Sequence, residues 1–448
     1  MAGQIKRILL ECTQIYESRG TTGIPRVVRN LADSGPAAAR EHGIELIPVI
    51  VRGRRFYPIQ LRPAACDDEP GPIVAFQRKL KRWLGIQPDS QWIRAAQRVQ
   101  RRTRKIFYPR TALRFLDSLR FRCLVSELQA TPQDVLILSG SAWKKSTRTA
   151  VDLAQQCGMP LGFISYDLIP VDHPEYFSPG AVGVFREWLD NVMGRLDFAL
   201  AISQTTRDRL WQYAIQQHAQ RPWHSSQFVH FNLGSMIDTR RSGGEVRGDL
   251  AAAFASENGA QTYLVVATVE PRKNHAFLLD AFDLVWPDHP EVKLCIVGRI
   301  GWLCNDVLHR IHSHPGYGRN LFMFNDLSDG ELDYCYRHAK GFLFPSKAEG
   351  YGLPIVEALS YGLPVLSSDI PIHREVGKTC CSYFDLADAA CLARQIDSLE
   401  RCGVVPYAAA ATAYRPVAWA DSARDFVQQT LRAVADVKAE KPRRRTAA

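Results

Sequence analysis

Short runs of β-branched and aromatic residues alternate with helical patterns along most of this chain. Such alternation is typical of parallel sheets built from strand–helix–strand units. The first series of predicted strands comprises Arg7–Gln14, Ile44–Val51, Asp134–Gly140, Leu161–Asp167, Phe198–Ser203 and Phe228–Leu233. A second series comprises Tyr263–Val269, Lys293–Gly298, Leu321–Asn325, Gly341–Pro345 and Pro364–Ser368. The pattern therefore predicts an α/β protein with two separate sheets.

The segment Asp238–Ala260 separates the two series and carries no strand pattern, so we expect the domain boundary there. The predicted domains are residues 1–240 and 241–416, each Rossmann-like. Apolar residues at helical spacing predict an amphipathic helix over 417–437 that returns to the first domain. Residues 438–448 are expected to be a basic tail, with Lys441–Arg445 disordered.

The composition, 46% hydrophobic and 23% charged residues, is that of a soluble globular protein. No apolar run reaches the ~18 residues that span a bilayer, and the N-terminus lacks the pattern of a signal peptide. We therefore expect a cytoplasmic location. The eleven cysteines are scattered without C-x-x-C spacing, which indicates neither a disulfide framework nor a zinc site.

The segment 76–122 holds much of the positive charge, with fourteen Lys or Arg against Asp89 and Asp117. Aromatic residues are interleaved with these charges, as in surfaces that contact anionic lipid head groups. A solvated helical insertion is an equally good interpretation. Nucleic acid is not an expected partner, since no nucleic-acid-binding signature is present. The first interpretation predicts peripheral attachment to the cytoplasmic face of the inner membrane.

Polar loops follow several strands of the second series, where ligands bind in open α/β sheets. Arg272 and Lys273 follow one strand and precede a predicted helix near His275, so they could hold a diphosphate together with that helix N-terminus. A solvated basic turn is the alternative. Glu349 and Glu357 follow another strand, and the glycines between them allow close approach of a ligand. A helix cap and a surface Glu are the alternative there.

The spacing from Glu349 to Glu357 resembles the E-x7-E motif of the retaining glycosyltransferase family 4, group 1. Other segments stand in the family's order: Val266–Asn274, Ile296–Arg299, Leu327–Leu332, Phe344–Ser346 and Tyr361–Leu366. The resemblance covers about Tyr263 to Asp388 strongly and the first domain more weakly. It implies the GT-B fold, in which two Rossmann-like domains face a central cleft, and transfer of a sugar from a nucleotide-sugar donor.

The resemblance also implies roles for individual residues. Arg272 and Lys273 would bind the donor diphosphate, Glu349 the transferring sugar and Glu357 the ribose. The backbone amides of Gly350, Tyr351, Gly352 and Leu353 would cradle sugar and phosphate, and Arg299 and Leu327 would also contact the donor. Many relatives carry an Arg shortly before this Lys, where Ala267 and Thr268 stand here.

The first domain contributes two further segments that resemble the family. Glu17–Arg26, with Gly23, is similar to a glycine-rich loop that approaches donor phosphate and acceptor. Tyr166–Glu175 is similar to a segment near the acceptor, and Asp167 and His173 are its candidate polar residues. Tyr166 stands where relatives often carry His, and a packing role for His173 is an equally good interpretation.

Without a D-x-D pair, the charge of the departing diphosphate must be met by cations and helix dipoles, so we expect no metal and no cofactor. The resemblance implies retention of configuration and is strongest to bacterial enzymes that add mannose or rhamnose to O-antigens and surface polysaccharides. GDP-mannose is the expected donor and a glycan or lipid-linked sugar the expected acceptor. The alternatives are a dTDP- or UDP-sugar donor, a catalytically silent nucleotide-binding scaffold, and an epimerase or phosphorylase.

Overall fold

The computed structural model describes residues 5–18, 23–61, 126–140, 145–235, 246–255, 261–403 and 411–446. The predicted basic segment 76–122 lies outside them. The chain divides into two compact units, Gly3–Leu161 and Gly162–Ala448. The predicted domain boundary near residue 240 stays a prediction.

The first unit is built from four strands and three helices in the described residues. Its strands are β1 (Arg7–Glu11), β2 (Glu45–Arg52), β3 (Arg55–Pro58) and β4 (Asp134–Leu138), and its helices are α1 (Thr13–Ser18), α2 (Ile24–Glu41) and α3 (Lys145–Gln156). The strands lie in the order β3-β2-β1-β4, with β1 parallel to β2 and β4. Gly23, in the segment identified as similar to a glycine-rich loop, directly precedes α2.

β3 was not among the predicted strands, and it pairs with β2 in antiparallel orientation. The two strands are joined by the two residues Gly53 and Arg54, both of which have positive φ. A two-residue loop of this conformation matches the twist of a β-hairpin. Arg is not a typical residue for this backbone region, so the sequence carries little signal for the turn.

The second unit contains the remaining strands. They are β5 (Leu161–Ser165, whose first residue closes the first unit), β6 (Phe198–Ala201), β7 (Phe228–His230), β8 (Thr262–Val266), β9 (Lys293–Val297), β10 (Leu321–Phe324), β11 (Gly341–Phe344), β12 (Val365–Ser368) and β13 (Cys381–Phe384). Strands β5, β6 and β7 are parallel neighbours in that order. The other six form one parallel sheet in the order β10-β9-β8-β11-β12-β13. The predicted second sheet is therefore confirmed, with β13 as an unpredicted edge strand.

The helices of the second unit connect these strands. They are α4 (Ile169–Asp172), α5 (Pro179–Met193), α6 (Gln204–Gln217), α7 (Gly248–Phe254), α8 (His275–Val285), α9 (Asn305–Ser313), α10 (Asp329–His338), α11 (Leu353–Ser360), α12 (Pro371–Gly377), α13 (Ala389–Cys402) and α14 (Trp419–Thr446). Short 3-10 turns cover Pro174–Tyr176, Ser225–Gln227, Pro271–Lys273 and Ala411–Ala413. Buried Tyr263, Phe282 and Leu343 belong to the core that β8, α8 and β11 share.

The last helix, α14, packs on β6 and β7, where Phe426 makes an edge contact with Phe231 at 5.3 Å between ring centroids. It continues to Thr446, so the prediction that Lys441–Arg445 are disordered is wrong. Ala, Glu, Lys and Arg dominate residues 438–446, and all four are good helix formers.

No helix in the described part of the chain combines the length and apolar character that crossing a bilayer requires.

Candidate functional site

The predicted donor-binding residues follow successive strands of the six-stranded parallel sheet. Arg272 and Lys273 come after β8, Arg299 after β9, Leu327 after β10 and Glu349 after β11. Because the carboxyl ends of parallel strands meet at one edge, these residues share one rim of the sheet. Arg299 is exposed and Leu327 is half-buried.

A tight turn directs the two cations after β8. Pro271–Lys273 form a 3-10 turn, and Asn274 then adopts the left-handed conformation with φ 56° before α8 begins at His275. Asn tolerates this backbone region better than most residues do. The turn brings Arg272 and Lys273 to the loop after β11, where the Lys347 N–H donates to the Arg272 carbonyl at 2.8 Å.

Four charged residues meet there, and we call Glu270, Arg272, Lys273 and Glu349 the ion cluster. Arg272 Nη1 donates to Glu349 Oε2 at 2.9 Å, and Arg272 Nε lies 2.7 Å from Glu270 Oε1. Lys273 Nζ donates to the other Glu349 oxygen and lies 5.0 Å from the centre of the Phe344 ring. Glu349 is thus held by two cations that come from one turn.

Electrostatics keep Glu349 ionised. Burial alone opposes the charge of this carboxyl, but the positive charges of Arg272 and Lys273 outweigh burial and lower its pKa. Burial raises the pKa of Glu270, and the neighbouring cations oppose that rise. The cluster therefore contains two cations, Arg272 and Lys273, and two acidic residues that differ in pKa. Glu349 is strongly ionised, whereas Glu270 takes up a proton more readily.

Asp167, the candidate from the first series of strands, lies within electrostatic range of the cluster. Burial raises the pKa of its carboxyl, and the charge of Arg272 opposes the rise. One of its oxygens accepts a hydrogen bond from the Ile169 N–H at 3.1 Å, which fixes the start of α4. Asp167 and Glu349 therefore act on the same arginine from different segments of the chain.

His173 is placed differently. Its ring is stacked on Tyr176 with 5.4 Å between centroids, and its Nδ1 lies 3.1 Å from Glu175 Oε1. These are surface contacts, and no contact between His173 and the ion cluster is found among the described residues.

The glycine-containing loop after Glu349 is tightly fixed. The Gly350 carbonyl accepts hydrogen bonds from Ser203 Oγ at 3.0 Å and Thr206 Oγ1 at 3.2 Å. A Cβ at Gly350 would lie 2.0 Å from the Tyr166 carbonyl oxygen, so only glycine fits. Gly352 has φ 95°, which also favours glycine.

The backbone N–H groups of the loop after Glu349 are available as hydrogen-bond donors. Within the part of the chain that the structure describes, the N–H groups of Gly350–Leu353 have no hydrogen-bond acceptor. Unpaired amides at the start of a helix are suited to an anionic or hydroxyl-rich ligand. The hydroxyl of the buried Tyr351 donates to the Leu233 carbonyl at 3.3 Å, which holds the side chain away from these amides.

Glu357 lies one turn inside α11, as its spacing predicts. It is buried and accepts a hydrogen bond from the Tyr336 hydroxyl at 2.9 Å, and Tyr336 is stacked on Tyr361. Its assignment to the ribose stays a prediction.

Sequence reasoning missed His373 on α12. Its ring is fully buried, and Nδ1 lies 2.8 Å from the Ser367 hydroxyl, 3.0 Å from the Ser368 hydroxyl and 3.1 Å from the Ser368 carbonyl oxygen. Nε2 faces no hydrogen-bond partner among the described residues. Burial lowers the pKa of His373 to about 4, while the charge of Glu349 opposes that fall. A single histidine in an ordinary helix pattern gives no signal in the sequence.

Glu375 was also missed. Its carboxylate accepts hydrogen bonds from the N–H groups of Gln204 at 2.6 Å and Thr205 at 2.8 Å. A carboxylate at a helix N-terminus satisfies unpaired donors and complements the helix dipole. This contact joins α12 to α6 and supports Ser203 and Thr206, which in turn hold Gly350.

A solved structure shares this architecture. The structure of HepE from Anabaena, solved with UDP and glucose, superposes with a TM-score of 0.54 at 13% identity and covers 99% of this chain and 100% of that one. At this identity the likeness concerns the fold, which is the GT-B fold predicted from the sequence.

A family model matches part of the chain. The model "Glycosyl transferases group 1" matches residues 247–413, which contain the whole rim described above. Residues 247–413 are therefore similar to this family.

Curated relatives match over parts of their length. The "Serotype-specific mannosyltransferase WbdA" of Escherichia coli is 29% identical over 238 residues, which are 53% of this chain and 29% of that protein. The "O-antigen chain mannosyltransferase B" of Escherichia coli is 38% identical over 118 residues, 25% of this chain and 30% of that protein. The match thus spans less than a third of these relatives.

Proposed function

We propose that this protein is a retaining, metal-independent glycosyltransferase that moves mannose from GDP-mannose to a growing O-antigen or other surface polysaccharide. The observation that carries the proposal is the pairing of Arg272 and Lys273 with Glu349 on the rim of a parallel sheet. The family match over residues 247–413 supports glycosyl transfer. The names of the curated relatives support mannose and O-antigen synthesis.

The two cations suit a diphosphate. A leaving nucleoside diphosphate carries charge that must be neutralised in the transition state, and preorganised cations do this without reorganisation. Arg272 and Lys273 are held in place by Glu349 before any ligand arrives. The unpaired amides of Gly350–Leu353 would add neutral donors to the same diphosphate or to the sugar.

The proposed reaction breaks the bond between the anomeric carbon and the diphosphate oxygen. The acceptor hydroxyl forms the new bond on the same face of the sugar, and its proton passes to a phosphate oxygen of the departing nucleotide. Glu349 then positions and electrostatically supports the sugar, and it does not need to form a covalent intermediate.

The partners proposed here are a nucleotide sugar and a glycan or lipid-linked acceptor. The basic segment 76–122 would hold the protein at an anionic membrane surface, and flotation with vesicles of stated anionic lipid content tests this. Loss of flotation on neutralising the Lys and Arg residues of that segment is the expected result. Flotation that does not depend on them would contradict the proposal.

The function is tested by incubating the purified protein with GDP-, UDP- and dTDP-sugars, with and without EDTA, and measuring nucleotide release. We expect release from GDP-mannose, unchanged by EDTA, and an axial anomeric linkage in the product by NMR. Release only from a UDP- or dTDP-sugar would overturn the choice of donor. Strict metal dependence would overturn the mechanism, and no release from any donor would favour the silent scaffold.

A further inference from the structure

A group of aromatic rings lies at the surface beside the candidate site. Trp302, in the loop after β9, is 43% exposed, and its neighbours Ile300 and Leu303 are 47% and 64% exposed. Tyr176 and Phe177 follow the Asp167 segment and meet Trp302 there. Exposed apolar groups that cluster in this way mark a binding surface more often than isolated ones do.

These rings are held in place although they are exposed. Trp302 Nε1 donates to the Tyr176 carbonyl at 2.7 Å, and its ring lies 5.9 Å from that of Phe177. The ring of His173 is stacked on Tyr176 at 5.4 Å with 19° between the planes. An indole fixed through its N–H presents a preorganised flat face, so a ligand that packs on it loses little entropy in ordering the protein.

The backbone around Trp302 is strained. Leu303 has φ 50°, which is a genuine outlier for a bulky side chain. Such a conformation persists only when neighbouring contacts enforce it, and it is concentrated at functional sites. Here the Gly301 N–H donates to the Val269 carbonyl at 3.0 Å. This hydrogen bond holds the Trp302 loop next to Glu270 of the ion cluster.

The aromatic group is continuous with the candidate site from both sides. The hydrogen bond from Gly301 joins the Trp302 loop to Val269, the residue before Glu270. Tyr176 follows Asp167 along the chain, after helix α4. Lys347, in the loop that contains Glu349, also acts electrostatically on Glu175. A ligand on these rings would therefore lie next to whatever the cluster binds.

We propose that Trp302, Phe177, Tyr176 and His173, with Glu175, form a subsite for a pyranose ring of the acceptor glycan; this rests on the proposed function. The apolar C–H face of a sugar packs on aromatic rings, and its hydroxyls donate to carboxylates. Glu175 places a carboxylate beside the ring of His173. Its negative charge disfavours an anionic lipid surface as the occupant.

The test is direct binding of α-linked mannotriose to the full-length protein, measured by NMR saturation transfer and titration, with Trp302→Leu as the variant. Leu keeps apolar character without a flat face, so we expect about tenfold weaker binding of mannotriose. Trp302→Phe retains an aromatic ring, so its affinity for mannotriose should fall less than that of Trp302→Leu. Leu284→Ala, an exposed apolar residue on α8, is the matched control and should bind like the wild type.

A second arm measures the thermal shift that GDP produces in the same variants, which reports the proposed donor site. Equal mannotriose affinity in wild type and Trp302→Leu, with the GDP shift intact, would overturn the subsite and leave the proposed function standing. Absence of any nucleotide-induced shift in the wild type would count against the proposed function instead. Weaker binding of Trp302→Leu to anionic vesicles, with unchanged mannotriose affinity, would assign the rings to lipid and overturn the subsite.

Discussion

Lys273 donates to one oxygen of Glu349 while Arg272 donates to the other, so the carboxylate occupies both cations that the sequence assigns to a diphosphate. A phosphate group presents the same kind of acceptor to these donors. The proposed function therefore implies that Glu349 and the donor diphosphate compete for Arg272 and Lys273. Under that proposal, binding of the diphosphate would release the carboxylate toward the sugar and so couple donor binding to the positioning of Glu349.

The first prediction concerns Glu349→Gln, which removes the competing anion. The nucleotide-free variant should lose about 3 kcal/mol of unfolding free energy, because buried Lys273 loses its carboxylate partner and Arg272 keeps only Glu270. GDP supplies a replacement anion, so it should raise the melting temperature of the variant more than that of the wild type, while the rate of sugar transfer falls. Differential scanning fluorimetry with a GDP titration measures both stability terms.

Glu400→Gln is the control for this experiment. Glu400 pairs with Lys340 at 2.5 Å, so the substitution breaks a lysine–glutamate pair outside the ion cluster. Its GDP-induced shift should equal that of the wild type. A shift in Glu349→Gln that is no larger than in the wild type would exclude competition between Glu349 and the diphosphate.

The second prediction concerns Lys273→Met, which keeps much of the side-chain volume and removes the charge. Loss of one preorganised cation from the leaving group should lower kcat/KM for the donor by about 100-fold. Lys340→Met is the matched control, since it also separates a Lys from a Glu, and its kcat/KM should stay within about twofold of the wild type. Steady-state nucleotide release measures kcat/KM for both variants. Equal losses of kcat/KM in the two variants would point to destabilisation alone.

Much of the fold could be predicted because the apolar pattern repeats at each strand–helix unit. All eleven predicted strands lie on strands that the structure contains. Nine observed strands end earlier than predicted, β2 is shifted by one residue, and β12 begins one residue later. Cys381–Phe384 escaped prediction because a four-residue edge strand with two polar members has no distinct pattern.

The candidate site could be predicted only in part. Position after a strand identified Arg272, Lys273 and Glu349 as neighbours on one rim, which the structure confirms by direct contact. The ion pairs of Lys273 and Arg272 with Glu349 join residues 76 and 77 positions apart. No local sequence pattern can therefore predict them. Glu375 and His373 act through contacts with other helices and loops, and only the folded chain shows those contacts.

The third prediction concerns Gly350→Ala. The added methyl would lie 2.0 Å from the Tyr166 carbonyl oxygen, a backbone atom that cannot turn away. We expect a loss of about 2 kcal/mol in unfolding free energy and a larger proportional loss of transfer activity, because the Glu349 loop must move. Thermal unfolding and nucleotide release measure the two effects.

Gly180→Ala serves as the control for that loop. Gly180 lies in α5 with open space around the position of a Cβ, so alanine should leave the protein as stable or increase its stability by up to about 1 kcal/mol. A Gly350→Ala variant that matches this control in stability and activity would contradict the tight fit of the loop.

The fourth prediction concerns pH and His275, the first residue of α8. Its ring is buried, neither ring nitrogen has a hydrogen-bond partner among the described residues, and burial lowers its pKa to about 4. In the unfolded chain the His275 imidazole has a pKa near 6.5 and binds a proton at a pH where the folded protein does not, so stability falls as the pH drops from about 6.5 toward 4.

His275→Leu removes this pH-dependent loss of stability. The unfolding free energy of the variant relative to that of the wild type should therefore grow by about 2 kcal/mol between pH 7.5 and pH 5. Phe277→Leu, a buried substitution in the same helix without a titrating group, should differ from the wild type by a constant amount. Urea unfolding across this pH range provides the measurement, and parallel curves for His275→Leu and the wild type would show that His275 is hydrated or paired in solution.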